Sequence, residues 1–485
     1  MSTTLTIAPV TRIEGHAKIT LLLNDSGEVA DARFHVTELR GFEKFCIGRS
    51  YREMPGITAR ICGICPVSHS LASAKAGDAI KGVKIPPTAH RLRRLMTYAQ
   101  LVQSHALSFF HLSGPDLLLG MESDAGQRHI FGLVDALPEL AREGILLRKF
   151  GQEVIRLTAG KRIHGTGSIP GGVNKSLTEE ERDGLLADIY TMIAWSRGAV
   201  HLVRDLHAQN PALYNSFGAF RANFMSLTGI DGALDFYHGR LRARSDKGDL
   251  LFDGVDYRGY ADLIHEEVKP WSYMKFPFIT ALGPEKGWYR VGPLSRVQNC
   301  DVIPTPLAEA ERREFVDYSG GTPTHAPLAY HWARMIEMLH AVETIKDLLH
   351  DDDIVGDDLV AGGERAMEGV GVIEAPRGTL IHHYRVGEDD LVTMCNLIVS
   401  TTHNNQAMNE AIRNVAKRYL RGHEVTEGLL NHIEVAIRAF DPCLSCATHA
   451  LGKMPLAVEL VDADGRLVDA VTRDEGGLRR IGAGA

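Results

Sequence analysis

The sequence predicts an α+β fold in which helices predominate. Apolar residues recur at three- and four-residue spacing over several long stretches, strand-like segments open the chain, the pattern weakens into loops and short strands in the centre, and no internal repeat or low-complexity linker occurs. A chain of 485 residues allows about three domains or one large one. Hydrophobic content of 44% and charged content of 24% are those of an ordinary soluble globular protein. A net charge of −8 offers no basic surface, so no nucleic-acid partner is expected. No apolar run is long enough to span a bilayer, and MSTTLTIAPVTRIEG lacks the basic-then-apolar order of a secretory signal. The expectation is a cytoplasmic protein without a membrane span, unless a partner carries an export signal.

The elements follow in order. AKITLLL and VADARFHVTEL flank the turn-forming NDSG and predict a hairpin. Beyond Pro55-Gly56, Thr58 to Ile80 predicts a helix with Cys62 and Cys65 at its start, where the helix dipole favours thiolate. Pro86-Pro87-Thr88 caps a long helix whose Leu92, Leu95, Met96, Ala99, Val102 and Ala106 share a face. Helical patterns continue over about 130–160 and 178–207, and the stretch 215–300 predicts loops and short strands. Helix returns over 305–348, with strands near 370–380 and 391–398. Met408, Ala411, Ile412, Val415 and Tyr419 mark one late helix, and Leu430, Ile433, Ile437 and Phe440 another, stopped by Asp441-Pro442. A second Cys-x-x-Cys pair, Cys443 and Cys446, follows on a turn.

Four thiolates drawn from such distant segments suggest one buried metal centre assembled by the whole fold. A zinc ribbon closes a local loop of roughly 15–20 residues instead. Structural zinc, redox thiols and disulfides stay open on spacing alone, with Cys46, Cys300 and Cys395 as further thiols. Soft sulfur ligands suit zinc, an iron-sulfur cluster or nickel. His69, one helical turn after Cys65, can hydrogen-bond a metal-bound sulfur, although such a residue alone is more often just packed on its helix.

TRIEGH (Thr11 to His16), RGFEKFCIGRSYREMPGITARICGICPVSH (Arg40 to His69), EAPRG (Glu374 to Gly378) and DPCLSCATH (Asp441 to His449) together resemble the signature blocks of nickel-iron hydrogenase large subunits, in the family's order. VGPLSRVQNCD and STTHNNQAMN resemble its cytoplasmic NAD-reducing bidirectional branch. The resemblance implies a long-helix bundle core with peripheral strand-rich regions, one N-terminal and one central. It implies one domain over 1–449: a strand region at 1–57, helical core at 58–210, a mixed excursion at 211–304, and helical core with the second cysteine pair at 305–449. It further implies nickel held by Cys62, Cys65, Cys443 and Cys446, with Cys65 and Cys446 bridging to an iron that carries carbon monoxide and cyanide. Such a centre splits dihydrogen heterolytically and reversibly.

Residue roles follow by resemblance. Cys443 takes the proton first and Glu14 relays it, as a carboxyl near a thiolate can. Arg377 stands over the metals, oriented by Asp441. Thr401 contacts an iron cyanide, while Glu43, the carbonyl of Leu397 and His449 bind a hydrated magnesium. Taken alone, Glu14 suits a salt bridge with Arg12, and Arg377 a surface position. One departure is Ser104, where uptake relatives carry an acidic residue. A maturation endopeptidase is expected to cut between His449 and Ala450 after nickel-insertion proteins have acted, removing Ala450 to Ala485; ELVDADGRLVDAV in that tail also suits an ordinary hairpin. With all paired cysteines used at nickel, electrons must leave through a small iron-sulfur subunit, then a diaphorase with FMN and NAD. A hydrogen sensor, an NADP- or deazaflavin-linked enzyme and a complex-one-like relative are the alternatives.

Overall fold

The computed structural model describes residues 4–7, 10–26, 28–420, 426–448, 456–461, 467–474 and 477–482. Strands β1 (Thr4–Ile7), β2 (Ala17–Leu23) and β3 (Val29–Val36) form an antiparallel sheet in that order. The expected hairpin is β2–β3, and Ile19, Leu21, Phe34 and Val36 are buried because alternation puts them on one face.

The helical core is built from α1 (Pro66–Lys81), α2 (Pro87–Ala106), α3 (Pro138–Ala159) and α4 (Glu179–Gln209), with α5 (Ala329–Leu349) through its centre. Helix α2 packs on α3 and α5, and α4 packs on α5. Burial of α5 extends around its circumference, as a helix enclosed by others requires. Thr178 and Glu181 start α4 with reciprocal side-chain caps. At the end of α2 the backbone widens into a π-helical turn, Leu107–Ser113, next to the candidate site.

Two helix boundaries differ from expectation. The first begins at Pro66: Ala59–Ile61 forms a 3-10 turn, Cys62 is extended and Cys65 caps α1. Proline suits the first helical position and pushes the residue before it out of helical geometry. The expected 305–348 helix is two, Pro306–Tyr318 and α5, because Gly320 and Gly321 adopt left-handed backbone and Pro323 follows.

Between α4 and α5, strands β4 (Asn223–Thr228), β5 (Arg240–Arg244) and β6 (Leu250–Val255) make a sheet to which Tyr289–Arg290 adds parallel to β4. After α5 come β7 (Glu368–Ala375), β8 (Gly378–Val386) and β9 (Val392–Ile398), an antiparallel sheet whose first turn carries Arg377. Strand β7 lies directly on α1: a Cβ on Gly371 would stand 2.1 Å from the carbonyl oxygen of Ala72, so only glycine permits this approach.

Helices α6 (Asn405–Tyr419) and α7 (Glu427–Phe440) pack together, and α6 also packs on β3. Helix α7 stops at Asp441, left-handed at φ 53, before Pro442. One hydrophobic cluster contains both Val10 and Ala447. Strands β10 (Leu456–Val461), β11 (Leu467–Asp474) and β12 (Gly477–Gly482) pair antiparallel; the first two form the terminal hairpin, and β12 extends it. Among the described residues no helix is long and apolar enough to cross a membrane.

Candidate metal centre

The two cysteine pairs meet. Cys62 Sγ lies 3.2 Å from Cys443 Sγ, Cys65 Sγ 3.5 Å from Cys446 Sγ, and Cys443 Sγ 2.9 Å from Cys446 Sγ. All four sulfurs lie within 4.8 Å of one another and are buried, and among the described residues they form the metal-competent group. The N–H groups of Ile64 and Cys65 donate to Cys62 Sγ, at 3.2 and 3.4 Å. Gln100 and Gln103 of α2 both donate to the Ile64 carbonyl, tying this turn to the bundle.

Burial raises the thiols of Cys443 and Cys446 well above their ordinary range, while hydrogen bonds from Cys443, Cys446 and Cys62 lower that of Cys65. Four thiolates cannot coexist in such a dry place without a cation. The donor set therefore fits a soft metal ion. A small chamber adjoins it, lined by Cys65, Cys443 and Cys446 but not Cys62, with Pro376, Arg377, Leu380, Val399, Ser400 and Thr401 among its other walls. The chamber thus opens on the side of Cys65, Cys443 and Cys446, which includes the pair expected to bridge.

Glu14 is not paired with Arg12. Its Oε2 accepts from Cys443 Sγ and from the N–H of Ser445, each at 3.1 Å, and Ser445 Oγ donates to Oε1. The chain at Glu14 runs parallel to Cys443, with Leu444 N donating to the Glu14 carbonyl at 3.0 Å. Arg12 turns the other way, onto Leu112 O and Asp116, and Arg438 holds Asp116, Glu434 and Thr11 beneath the motif. Thr401 Oγ1 accepts from the N–H of Cys443 at 3.0 Å, leaving its own proton free to turn into the chamber.

Arg377 is buried rather than on the surface. It donates from Nε to the Asp441 carbonyl, from one terminal nitrogen to Asp441 Oδ1 at 3.0 Å, and from the other to Ser104 Oγ at 3.4 Å. Desolvation works against its charge, but Asp441 and the cysteine sulfurs outweigh it and hold the guanidinium protonated. A network that the motifs do not announce fixes the turn behind it. Arg296 donates to Glu337, to Glu374 and to the carbonyls of Ala375 and Pro376, and His105 Nε2 meets Glu337 at 3.0 Å. Arg296, Glu337 and Glu374 are fully buried and mutually paired, and His105, which burial lowers to about 4, joins them as a neutral imidazole.

His69 Nδ1 lies 3.2 Å from His382 Nε2, His382 Nδ1 lies 2.6 Å from the Tyr384 hydroxyl, and Tyr384 bonds Ser73. One of the two proton orders along this chain leaves an N–H on His69 Nε2, which is buried with no hydrogen-bond partner among the described residues, and the nearness of His69 adds to the lowering of the Cys65 thiol. Alternation in β8 aims His382 and Tyr384 at α1, and HHY is the only signal of this in the sequence.

Two of the three expected magnesium ligands come together. Leu397 N donates to Glu43 Oε1 at 2.9 Å, and burial raises the Glu43 carboxyl above its usual range. His449 and the His449–Ala450 bond lie outside the described residues, but the Thr448 carbonyl accepts from Arg40 and Gly41, close in sequence to Glu43.

The chain belongs to the nickel-dependent hydrogenase family, whose model matches residues 40–122 and 253–449, while a HoxL-like model matches residues 4–39. Within it, the chain is 48% identical over 98% of its length to the whole of the beta subunit of the NAD-reducing hydrogenase HoxS of Cupriavidus necator. It is 42% identical over 96% of its length to 99% of a chain of the F420-non-reducing hydrogenase vhc of Methanococcus voltae. A crystal structure of an NAD+-reducing [NiFe]-hydrogenase in the H2-reduced state superimposes with TM-score 0.90 at 54% identity, over 92% of this chain and 99% of that one. The Ni-Fe-Se hydrogenase of Desulfovibrio vulgaris Hildenborough gives 0.73 at 26% identity, over 93% of this chain and 100% of that one.

Proposed function

We propose that this chain is the dihydrogen-splitting subunit of a cytoplasmic, NAD-linked nickel-iron hydrogenase. The observation that carries the reading is the chamber beside Cys65 and Cys446, roofed by a buried, charge-paired Arg377. Cys62, Cys65, Cys443 and Cys446 would hold nickel, and Cys65 and Cys446 would share it with iron bearing carbon monoxide and cyanide. When bound, that centre supplies heterolytic, reversible cleavage of dihydrogen.

The residues around it handle charge and protons. Cys443 stands 3.1 Å from Glu14, within direct proton-transfer range, and Ser445 holds the receiving carboxylate in place. Arg377 adds a fixed positive charge that no reaction step can remove, since guanidinium does not deprotonate. Asp441 locks its orientation, and Thr401 positions the Cys443 backbone. His69 polarises Cys65. Glu43, Leu397 and His449 would bind magnesium, joining β9 to the chain end. Residues 1–449 would form the single working domain, with Ala450 to Ala485 removed by a maturation endopeptidase once nickel-insertion proteins have acted. Electrons leave to a small iron-sulfur subunit and a diaphorase carrying FMN and NAD, in keeping with the NAD-reducing relative.

Metal analysis and infrared spectroscopy of the processed complex test this directly. Nickel and iron in equal amounts, with bands from iron-bound carbon monoxide and cyanide, are expected; their absence removes the assignment. In Glu14→Gln, turnover should fall about a hundredfold or more while those bands persist.

A further inference from the structure

We propose that Glu38 and His16 form the outer stage of the proton path, the carboxyl of Glu38 passing protons from the Glu14 side to the imidazole of His16 at the protein surface. This rests on the assignment of Glu14 as the carboxyl that receives the proton from Cys443.

On the other side of Glu14 from Arg12 lies Gly15, in left-handed backbone at φ 90, and its lack of a side chain leaves a narrow space. A Cβ there would stand 2.7 Å from Leu444 Cβ, 3.1 Å from Ser445 N and 3.2 Å from Glu38 Oε2. Ser445 is the residue whose N–H and hydroxyl hold the Glu14 carboxylate. Glu38 Oε2 and Ser445 N thus border the same Gly15 position from different sides, and the proposed path joins them through one water.

The two oxygens of Glu38 face different surroundings. Oε1 is bonded to Nδ1 of His16, whereas Oε2 is buried with no hydrogen-bond partner among the described residues. A buried carboxylate oxygen is costly unless a proton or a water satisfies it, so Oε2 is a natural acceptor on the Glu14 side. The His16 side chain is 77% exposed and that of Glu38 22%, so the pair spans from interior to solvent. The charged groups facing His16 are Glu38, by hydrogen bond and charge, and Glu14 on its own segment; they raise the imidazole above its ordinary range and favour its carrying a proton. The carbonyl of His16 accepts from Thr37 N and Oγ1, which keeps the two segments in register.

Each transfer moves one proton and no electron. With the shared proton resting on Nδ1 of His16, Glu38 takes a proton on Oε2 and the imidazolium releases one from Nε2 to water; rotation of the carboxyl and the ring then returns the pair to its starting state. In dihydrogen evolution the same steps run in reverse.

The test uses the metal-loaded complex with Glu38→Gln, Glu38→Asp and His16→Gln. Infrared bands of the centre and para-to-ortho hydrogen conversion, which needs cleavage but no proton exit, should be unchanged. Exchange of dihydrogen with D2O should fall about tenfold or more in Glu38→Gln and His16→Gln. Glu38→Asp should retain most of it, and added free imidazole should restore it in His16→Gln. In complexes labelled with 15N-histidine, Glu38→Gln should lower the His16 titration midpoint. Undiminished exchange in Glu38→Gln overturns the proposal, as does a loss of conversion equal to the loss of exchange, which would mark a structural pair only. Glu14→Gln run alongside separates the two levels: if it stops exchange and Glu38→Gln does not, the outer stage alone fails; if it leaves exchange intact, the Glu14 assignment fails first.

Discussion

Cys62 and Cys65 sit where a helix begins, and Cys443 and Cys446 sit where one has ended. The first pair rests on regular structure: α1 packs on β7, α2 glutamines hold its turn, and His69 is fixed by a strand behind it. The second pair lies on a loop joined to the distant chain by one isolated parallel bridge, at Glu14, rather than by a strand ladder. The Cys443 N–H goes to the Thr401 hydroxyl, those of Leu444 and Ser445 go to Glu14, and Asp441 is held by Arg377. One half of the site is thus prefabricated and the other half is held by side chains from elsewhere.

The sharpest way to break that contrast is Asp441→Asn. Removing one partner of a buried pair costs about 3–5 kcal/mol, and the damage should be confined to the second half. Hydrogen exchange should accelerate over 441–448 and nickel retention should fall, while 62–69 stays protected; equal acceleration in both segments would show that the halves are not held independently. Gly371→Ala attacks the other half. Its Cβ would meet the Ala72 carbonyl at 2.1 Å, so α1 must shift, at a cost of about 1–3 kcal/mol. Thermal unfolding with exchange mapped to α1 and β7 checks it.

The smallest effect is a pH dependence in the first half. Burial lowers the Lys75 ammonium to about 8, although it donates to the carbonyls of Tyr237 and Val372 at 2.6 Å. A lysine with a depressed folded value binds fewer protons folded than unfolded between pH 8 and about 10.4, so its penalty is full below 8 and fades as pH rises. Wild type should therefore gain stability relative to Lys75→Met between pH 8 and 10. Melting temperatures of the two chains at both ends of that window measure the difference.

What is legible in the sequence follows the same division of local from distant. The cysteines, Glu14, Arg377 and Asp441 stand in short blocks whose chemistry travels with their spelling. Pattern alone misplaces the start of α1 because apolar spacing runs on through Ile61 and Cys62, whereas Pro66 decides the boundary. Arg296, Glu337 and His105 are invisible to it, since a buried polar side chain looks like a surface one until its partners, 41 and 232 residues away, are known. Ser104 stands out as a departure, and its hydroxyl does meet Arg377 where a carboxylate would otherwise compete with Asp441.

The hydrogen bonds from Arg40 and Gly41 to the Thr448 carbonyl have a bearing on synthesis. A ribosome delivers Glu14, Arg40 and Cys62 early, yet their partners at 441–448 emerge almost last, 381 residues after Cys62 in the case of Cys443. Closing so long a loop carries an entropic cost that only late contacts repay. Through most of translation the early thiols therefore stand without the second pair.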